Sequence, residues 1–236
     1  MNERYVRQES LLGPGGQEKL GSSTVFIAGA GGLGSPVSFY LTAAGVGNIR
    51  IADLDVIELS NMNRQILHTE DRLGTSKAAS AKKTLEALNS ACSITAFPEK
   101  IDASSVRRLI GDADIIVDCM DNFTARYVLN RFALEEDIPL VHGAVAGFIG
   151  QATLIIPGKT PCLACIFPDA KTTTKTPVLG GVAGVIGSIQ ACETIKYLTG
   201  TGATLAGRLL LYDGAVNSMD TFTVKKSPRC PVCTTL

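Results

Sequence analysis

Short apolar runs alternate with longer amphipathic stretches along the chain as far as Gly147. The apolar runs are rich in Val, Ile and Ala and predict strands over Thr24–Ala30, Asn48–Asp53, Ser93–Phe97, Asp114–Cys119 and Pro139–Ala144. The stretches around them predict helices over Met1–Leu20, Leu33–Ala44, Ser76–Asn89, Ala103–Ile110 and about Thr124–Glu136. Strands that alternate with helices at this spacing predict an α/β fold with a doubly wound, mostly parallel sheet.

The pattern changes after Gly147. The segments FIGQATLIIPG and GRLLLYDGAVNSMDTFTVKK predict strands joined by turns, with one helix, Gly184–Leu198, between them. Apolar residues at helical spacing predict that this helix has one packed face, made of Val185, Ile186, Ile189, Cys192 and Ile195. We therefore expect antiparallel strands that extend the same sheet, within a single domain over residues 1–236.

Composition narrows the class of protein. The chain has 236 residues, 45% of them apolar and 19% charged, and 22 Lys and Arg balance 22 Asp and Glu. This balance gives no basic field for a nucleic-acid partner. The polar start, MNERYVRQES, does not resemble a signal peptide, and the weakly polar run Val178–Ala191 is too short to span a membrane. We expect a cytoplasmic protein without a membrane partner.

A glycine-rich turn follows the first predicted strand, in the stretch VFIAGAGGLG. Gly29, Gly31 and Gly34 match the spacing G-x-G-x-x-G, and Asp53 ends the next predicted strand. This Rossmann-like pattern places phosphate at a helix N-terminus and an acid on a ribose. Taken alone it predicts only a nucleotide, and NAD fits it as well as ATP does. A glycine turn that merely packs a helix on a strand remains the alternative.

The loop after the second predicted strand, DLDVIELSNMNRQILH, is polar and carries an arginine. Its candidate ligand-binding residues are Asp53, Asp55, Asn61, Asn63, Arg64 and Gln65. Lys77 follows in GTSK, near a helix start. Two cations near a glycine turn suit a triphosphate better than a bridging pyrophosphate. Solvated surface charges remain the alternative for Arg64 and Lys77.

Two carboxylates flank the end of the buried strand in VDCMDN, Asp118 and Asp121. Ligands of open α/β sheets bind at the carboxyl ends of the strands, and a carboxylate there can hold Mg²⁺ on phosphate oxygens. The alternative is an aspartate that caps the helix predicted to follow.

Four of the seven cysteines form two C-x-x-C pairs in proline-rich loops, Cys162 with Cys165 and Cys230 with Cys233. In a reducing compartment such pairs indicate metal binding rather than disulfides. Together they supply the four thiolates of a closed, structural zinc site, and a pair of redox motifs is the alternative. We expect the remaining cysteines to be small core residues: they are Cys92, Cys119 and Cys192.

The ordered set of motifs resembles the HesA/MoeB/ThiF family of adenylyltransferases, which are related to ubiquitin-activating enzymes. The matching stretches are RYVRQ, GAGGLG, DLD, LSNMNRQ, GTSKA, DCMDN and both cysteine pairs. The resemblance implies ATP as the ligand, with adenylation of the C-terminal Gly-Gly carboxylate of a small ubiquitin-like sulfur-carrier protein and release of pyrophosphate. It also implies sulfur transfer for thiamine or molybdopterin biosynthesis.

The resemblance also implies which residues act. The catalytic residues would be Arg7, reaching across a homodimer, with Arg64, Lys77 and Asp121, the last holding Mg²⁺. The ATP-binding residues would be Gly29, Gly31, Gly32, Gly34, Asp53, Asp55, Ser60, Asn61, Asn63, Arg64, Gln65, Lys77, Asp121 and Asn122. No general base is needed because the carboxylate is ionised at neutral pH, so His68 and His142 are not expected to be catalytic. On this basis the chain divides into an N-terminal helical arm (1–22), a nucleotide-binding half (23–146) and an antiparallel extension with zinc knuckles and a crossover loop (147–236).

One loop departs from many members of that family. Their crossover loop carries a cysteine, whereas here Phe167–Gly181 reads FPDAKTTTKTPVLGG and has none. We therefore expect no thioester or disulfide from that loop and a separate sulfur donor. The loop, with Lys171 and Lys175, is expected to act as a lid or a carrier-contact strap. The alternatives are an NAD-dependent oxidoreductase, a non-enzymatic partner subunit, or adenylation of a carboxylate on a peptide or a tRNA base.

Overall fold

The computed structural model of the chain describes residues 3–171 and 176–234. The strands in these residues form one eight-stranded sheet, in the order β3-β2-β1-β4-β5-β6-β7-β8. Their bounds are β1 Thr24–Ala28, β2 Asn48–Ala52, β3 Ser93–Phe97, β4 Ile115–Asp118, β5 Leu140–Ala146, β6 Ile149–Ile155, β7 Arg208–Asp213 and β8 Ser218–Thr223.

The helices lie between these strands and before β1. Their bounds are α1 Val6–Glu9, α2 Gly16–Ser22, α3 Gly34–Ala44, α4 Lys77–Leu88, α5 Val106–Ile110, α6 Phe123–Glu135, α7 Leu163–Ile166 and α8 Gly180–Thr199. Two single 3-10 turns, Leu59–Asn61 and Glu70–Arg72, lie between β2 and α4.

Strands are paired in parallel from β3 to β5 and antiparallel from β5 to β8. Ala28 at the end of β1 pairs in register with Ala52 on one side and Asp118 on the other, so three strand ends meet at one edge. The chain progresses outward from β1 to β3 and then returns to place β4 on the other side of β1. This reversal creates the crevice in which ligands of such sheets bind.

Apolar side chains fill both faces of the sheet. Val37 of α3, Leu85 of α4 and Ile186 of α8 are buried on one face. Leu109 of α5 and Leu129 of α6 are buried on the other. Helices on both faces of a mostly parallel sheet confirm the predicted α/β class.

Several predicted bounds need correction. Residues 3–20 hold two short helices rather than one, and α5 begins at Val106 rather than Ala103. Cys119 follows β4 instead of lying inside it, although it is buried as expected. In the part of the chain that the structure describes, no helix is long and apolar enough to cross a membrane.

The largest correction concerns α8. It begins at Gly180, not Gly184, and Cys192 is exposed rather than packed. The buried face is made mostly of small residues, because α8 lies very close to α3: a Cβ on Gly187 would lie 2.4 Å from Cγ of Pro36. Apolar periodicity therefore identified the helix and part of its packed face, since Ile186 is buried and Ile189 and Ile195 pack against the core, but it misplaced Cys192.

Candidate functional site

The glycine turn joins β1 to α3 at the edge where the parallel strands end. Gly29 has φ 102°, and a Cβ there would lie 2.9 Å from the carbonyl oxygen of Cys119. A Cβ on Gly34 would lie 2.0 Å from the carbonyl oxygen of Gly29. Only glycine permits this approach, which brings the N-terminus of α3 against the turn. The open N–H groups and the helix dipole there favour an anion.

Asp53 connects the end of β2 to this turn. Its Oδ2 accepts from the Ala30 N–H at 2.8 Å and its Oδ1 accepts from the Asp55 N–H at 2.9 Å. Burial raises the pKa of Asp53, and the two backbone donors oppose that effect. Each oxygen keeps a second lone pair, so the carboxylate can still accept from a ribose hydroxyl.

The loop after β2 places Arg64 and Gln65 on the turn. Cγ of Arg64 lies 3.4 Å from the position of a Cβ on Gly32, and Nε2 of Gln65 lies 3.5 Å from that of Gly31. The Arg64 guanidinium donates to the Ser60 carbonyl and to Oδ1 of Asn63, each at 2.9 Å. Oε1 of Gln65 is buried and has no partner among the described residues.

Asn61 and Ser60 have local partners. Oδ1 of Asn61 accepts from the Glu58 N–H at 3.0 Å, within a capping box around the 3-10 turn. The Ser60 hydroxyl donates to Glu58 at 3.2 Å and is exposed. Asn61 thus shapes the loop that presents Arg64.

Lys77 is the first residue of α4 and its side chain is buried. Its Nζ lies 2.8 Å from Oδ2 of Asp55, whose side chain is 68% exposed. Nearby, Nε2 of His68 lies 2.8 Å from the Ala30 carbonyl oxygen, and burial lowers the pKa of His68. The lysine therefore brings a positive charge close to Asp53 and the glycine turn, and His68 stabilises the turn through its contact with the Ala30 carbonyl oxygen.

Asp121 and Asn122 lie past the end of β4. Oδ1 of Asn122 accepts from the Ala125 N–H at 2.9 Å, so Asn122 caps α6. Nδ2 of Asn122 donates to Oδ1 of Asp121 at 3.3 Å, and Asp121 is exposed. Asn122 and not Asp121 therefore caps the helix, whereas Asp118 does cap the turn before it, because its Oδ1 accepts from the Met120 N–H at 3.0 Å.

The structure also shows a buried polar network below this loop that the sequence analysis did not identify as a unit. Oδ2 of Asp118 lies 2.7 Å from Nδ1 of His142 and 3.6 Å from Nε of Arg126, and all three side chains are buried. Burial lowers the pKa of His142, against the opposing effect of Asp118. A carboxylate that ends one buried strand, with a histidine on the next strand, was the signal available in the sequence.

Arg7 lies apart from the residues named above. It is exposed on α1, and α1 packs at the far end of α3. Nε2 of Gln8 donates to the Ala44 carbonyl oxygen at 2.7 Å, and the Tyr5 ring lies against Gly45, after α3 ends. Because α3 is 11 residues long, these contacts are about 16 Å from its N-terminus.

The four paired cysteines form one cluster. Their sulfur atoms lie within 4.8 Å of one another, with Sγ–Sγ distances of 3.8 Å for Cys162–Cys165, 3.6 Å for Cys162–Cys230 and 3.4 Å for Cys165–Cys233. Tetrahedral zinc with Zn–S bonds of about 2.3 Å requires sulfurs about 3.8 Å apart. Bonded disulfide sulfurs would be about 2.05 Å apart. The cluster therefore fits a four-thiolate metal site.

The sequence profile of the ThiF family matches residues 5–232. The chain is 43% identical to the SAMP-activating enzyme E1 of Haloferax volcanii, over 98% of this chain and 88% of that protein. It is 41% identical to the sulfur carrier protein adenylyltransferase of Thermus thermophilus, over 98% and 90%. It is 42% identical to the adenylyltransferase and sulfurtransferase MOCS3 of Drosophila persimilis, of which it spans about half (53%).

Solved structures agree with the sequence relatives. The crystal structure of E. coli MccB with ATP superposes with a TM-score of 0.87 at 27% identity, over 99% of this chain and 74% of that one. MccB in complex with N-formylated MccA superposes with a TM-score of 0.90 at 26% identity, over 98% and 75%. The chain belongs to the ThiF family.

Proposed function

We propose that this chain is an adenylyltransferase that activates the C-terminal Gly-Gly carboxylate of a small ubiquitin-like sulfur-carrier protein with ATP and releases pyrophosphate. The observation that supports the proposal is that β2 and β4 flank β1, so the loops with Arg64, Lys77 and Asp121 follow strands that end beside the glycine turn. The sulfur carrier protein adenylyltransferase and the SAMP-activating enzyme among its relatives support the choice of substrate.

The chemistry brings a carboxylate to a polyanion. A carboxylate oxygen of the carrier forms a bond to the α-phosphorus while the bond from that phosphorus to the β-phosphate oxygen breaks, so charge grows on pyrophosphate. The N-terminus of α3, the Gly32 backbone, Arg64 and Lys77 would stabilise that charge, and Asp53 would hold the ribose. Asn63, Gln65 and Asn122 would line the nucleotide. Removing one preorganised stabiliser of this kind commonly costs about 10²- to 10³-fold in rate.

Two metal ions belong to the proposal. Asp121 would hold Mg²⁺, which neutralises phosphate charge when it is bound. The four-cysteine cluster would hold zinc, and all four thiolates would be occupied, so that the metal would have a structural role. Such reduced thiolates suit the cytoplasm, where we expect the protein to act.

In this proposal, another protein supplies the sulfur to the activated carrier. No cysteine occurs in Phe167–Gly181, and residues 172–175 of that loop, including Lys175, lie outside the described residues. Lys171 is described and exposed, which suits the proposed contact with the carrier. We expect the adenylate to be passed to a separate sulfur donor of a thiamine or molybdopterin type of pathway.

A second candidate is adenylation of a peptide carboxylate. The likeness to MccB in complex with N-formylated MccA favours it. The identity to MccB is 26%, against 41% to 43% for the sulfur-carrier enzymes, so the carrier is the preferred substrate.

Exchange of pyrophosphate into ATP tests the proposal. The purified chain is incubated with a panel of Gly-Gly-terminated carriers, and Asp121→Ala and Arg64→Ala are compared with Arg131→Ala, a matched loss of an exposed arginine on α6. We expect carrier-dependent exchange that falls about 10²-fold or more in the first two variants and stays unchanged in the third.

Unchanged exchange in both site variants, or no stimulation by any carrier, would overturn the proposal. Mass spectrometry of the same mixtures tests the sulfur chemistry. A thiol-labile adduct between the chain and its carrier, mapped to any cysteine, would contradict transfer to a separate donor.

A further inference from the structure

We propose that Arg126 and His142 are positioning residues that fix the Met120 backbone, Arg126 directly and His142 through Asp118, and so orient the Asp121 carboxylate toward the triphosphate site. The inference rests on the proposed function, because it takes Asp121 to be the acid that holds Mg²⁺. Neither Arg126 nor His142 is placed on the nucleotide.

The Asp121 carboxylate needs support from its backbone. Asp121 is exposed, and the side-chain bond described for it is the long one from Asn122, at 3.3 Å. An exposed carboxylate with so little side-chain support is oriented by the peptide that precedes it. That peptide contains the Met120 carbonyl, and both the carbonyl and the N–H of Met120 are hydrogen-bonded.

Met120 is held at each end of its backbone. Its N–H donates to Oδ1 of Asp118 at 3.0 Å, and its carbonyl oxygen accepts from Nη2 of Arg126 at 2.5 Å. Arg126 comes from the first turns of α6 and donates also to the Gly143 carbonyl oxygen at 3.2 Å. One guanidinium thus ties the site loop to β5.

His142 fixes the carboxylate that binds the Met120 N–H. Its Nδ1 donates to Oδ2 of Asp118 at 2.7 Å, and its Nε2 accepts from Nε2 of Gln151 on β6 at 3.3 Å. Asp118 and His142 are both fully buried. A buried carboxylate held by two partners at hydrogen-bond distance cannot rotate without leaving one of them unpaired, which is costly in a dry site.

These contacts cannot be explained by the core alone. An apolar pair would fill the space between β4 and β5 without the cost of burying a carboxylate, an imidazole and a guanidinium together. Asp118 and Arg126 both bind the Met120 backbone next to Asp121, and His142 binds Asp118. Removing an outer partner of a metal ligand commonly lowers metal affinity by about 10- to 100-fold.

The test compares His142→Leu, which removes the donor, with His142→Asn, whose amide nitrogen can donate from the place of Nδ1. Binding of a non-hydrolysable ATP analogue is measured by calorimetry while Mg²⁺ is varied, with no carrier present. We expect half-saturation in His142→Leu to need about 10- to 100-fold more Mg²⁺, and His142→Asn to stay near the wild type. Excess Mg²⁺ should recover most of the binding.

Two further variants complete the design. Glu193→Ala removes a buried carboxylate on α8 that accepts from the Leu205 N–H at 2.5 Å, and it leaves the Met120 peptide intact. It should not change the Mg²⁺ requirement. Arg126→Lys keeps the charge, loses the planar donor geometry and should raise the Mg²⁺ requirement as His142→Leu does. If His142→Leu fails to fold, Arg126→Lys decides the question.

An unchanged Mg²⁺ requirement in the folded variants, or an equal rise in His142→Asn and His142→Leu, would overturn the inference. Failure of the proposed function would give a different result. The wild type would then show no carrier-dependent pyrophosphate exchange, whereas the Mg²⁺ requirement for nucleotide binding is measured without a carrier and tests only this inference.

Discussion

At the residue scale, two glycines of the turn after β1 meet different neighbours. A Cβ on Gly34 would lie 2.0 Å from the carbonyl oxygen of Gly29, which is backbone and cannot move without distorting the turn. A Cβ on Gly32 would meet Cγ of Arg64 at 3.4 Å and Cβ of Ala183 at 3.5 Å, which are ordinary contacts. Gly34 is therefore needed for the fold, whereas the fold leaves room for a methyl group at Gly32.

This difference gives a prediction for Gly34→Ala and Gly32→Ala. We expect Gly34→Ala to destabilise the chain by about 1–3 kcal/mol or more, because it overpacks the start of α3. Gly32→Ala should unfold like the wild type but bind ATP weakly, because its methyl group occupies the path of the phosphates. Urea unfolding and nucleotide titration of both variants measure the two effects. Wild-type ATP affinity in a folded Gly32→Ala would contradict the site assignment.

Sequence reasoning succeeded best where one residue type has one physical use. The glycines of the turn lie where the spacing predicted, because the backbone contact at Gly34 excludes every side chain. Amide side chains were harder to interpret. Asn61 and Asn122 are held in caps, and a linear sequence does not show whether an amide serves a cap, a ligand or both. Their contacts depend on neighbours that only the fold brings together.

At the scale of elements, α8 shows why a helix can be predicted correctly and its buried face only in part. The sequence has branched apolar residues at helical spacing, yet the contact with α3 and β5 is so close that small side chains form most of the interface. A Cβ on Gly143 would lie 2.3 Å from the Gln190 side chain, which donates to the Asp118 carbonyl oxygen at 2.8 Å. Cys192 is left on the exposed side. The distance between α8 and α3 decides which side chains fit between them, and apolar periodicity does not encode that distance.

The segment after β8 depends on the cysteine cluster in a different way. It has no strand or helix in the described residues 224–234, yet Cys230 is buried against the first cysteine pair. The Ser227 N–H also donates to Sγ of Cys165 at 3.4 Å. A bound metal would therefore attach the end of the chain to α7.

We predict one zinc ion per chain, lost in Cys230→Ser. Without it, burial and mutual repulsion disfavour four close thiolates. Elemental analysis should find zinc at a 1:1 ratio in the wild type and in Cys192→Ala, the matched loss of an exposed cysteine outside the cluster. Thermal unfolding of Cys230→Ser should occur at a lower temperature. A full zinc complement in Cys230→Ser would contradict the four-thiolate site.

At the scale of the whole molecule, the sheet order explains how distant motifs reach one site. β1, β2 and β4 are neighbours although their sequences are far apart, so the glycine turn, the loop with Arg64 and the loop with Asp121 open at one edge. This much followed from the alternation of strands and helices. The position of Arg7 could not be predicted from that alternation. It depends on α1, which packs at the C-terminal end of α3 rather than at its N-terminus. If Arg7 is catalytic, we expect a group so placed to act in a second copy of the chain.

Subunit mixing tests that arrangement. If Arg7 acts in the partner's site of a homodimer, Arg7→Ala and Arg64→Ala are each inactive alone, but a mixed dimer has one site with both arginines. Random mixing of equal amounts makes about half of the dimers mixed, each with one working site of two, so exchange should recover to about a quarter of the wild-type rate. Arg64→Ala mixed with Lys77→Ala should recover nothing, because both residues act within one chain. Activity of Arg7→Ala alone, or no recovery after subunit exchange verified by mass spectrometry, would show that Arg7 does not act across a dimer.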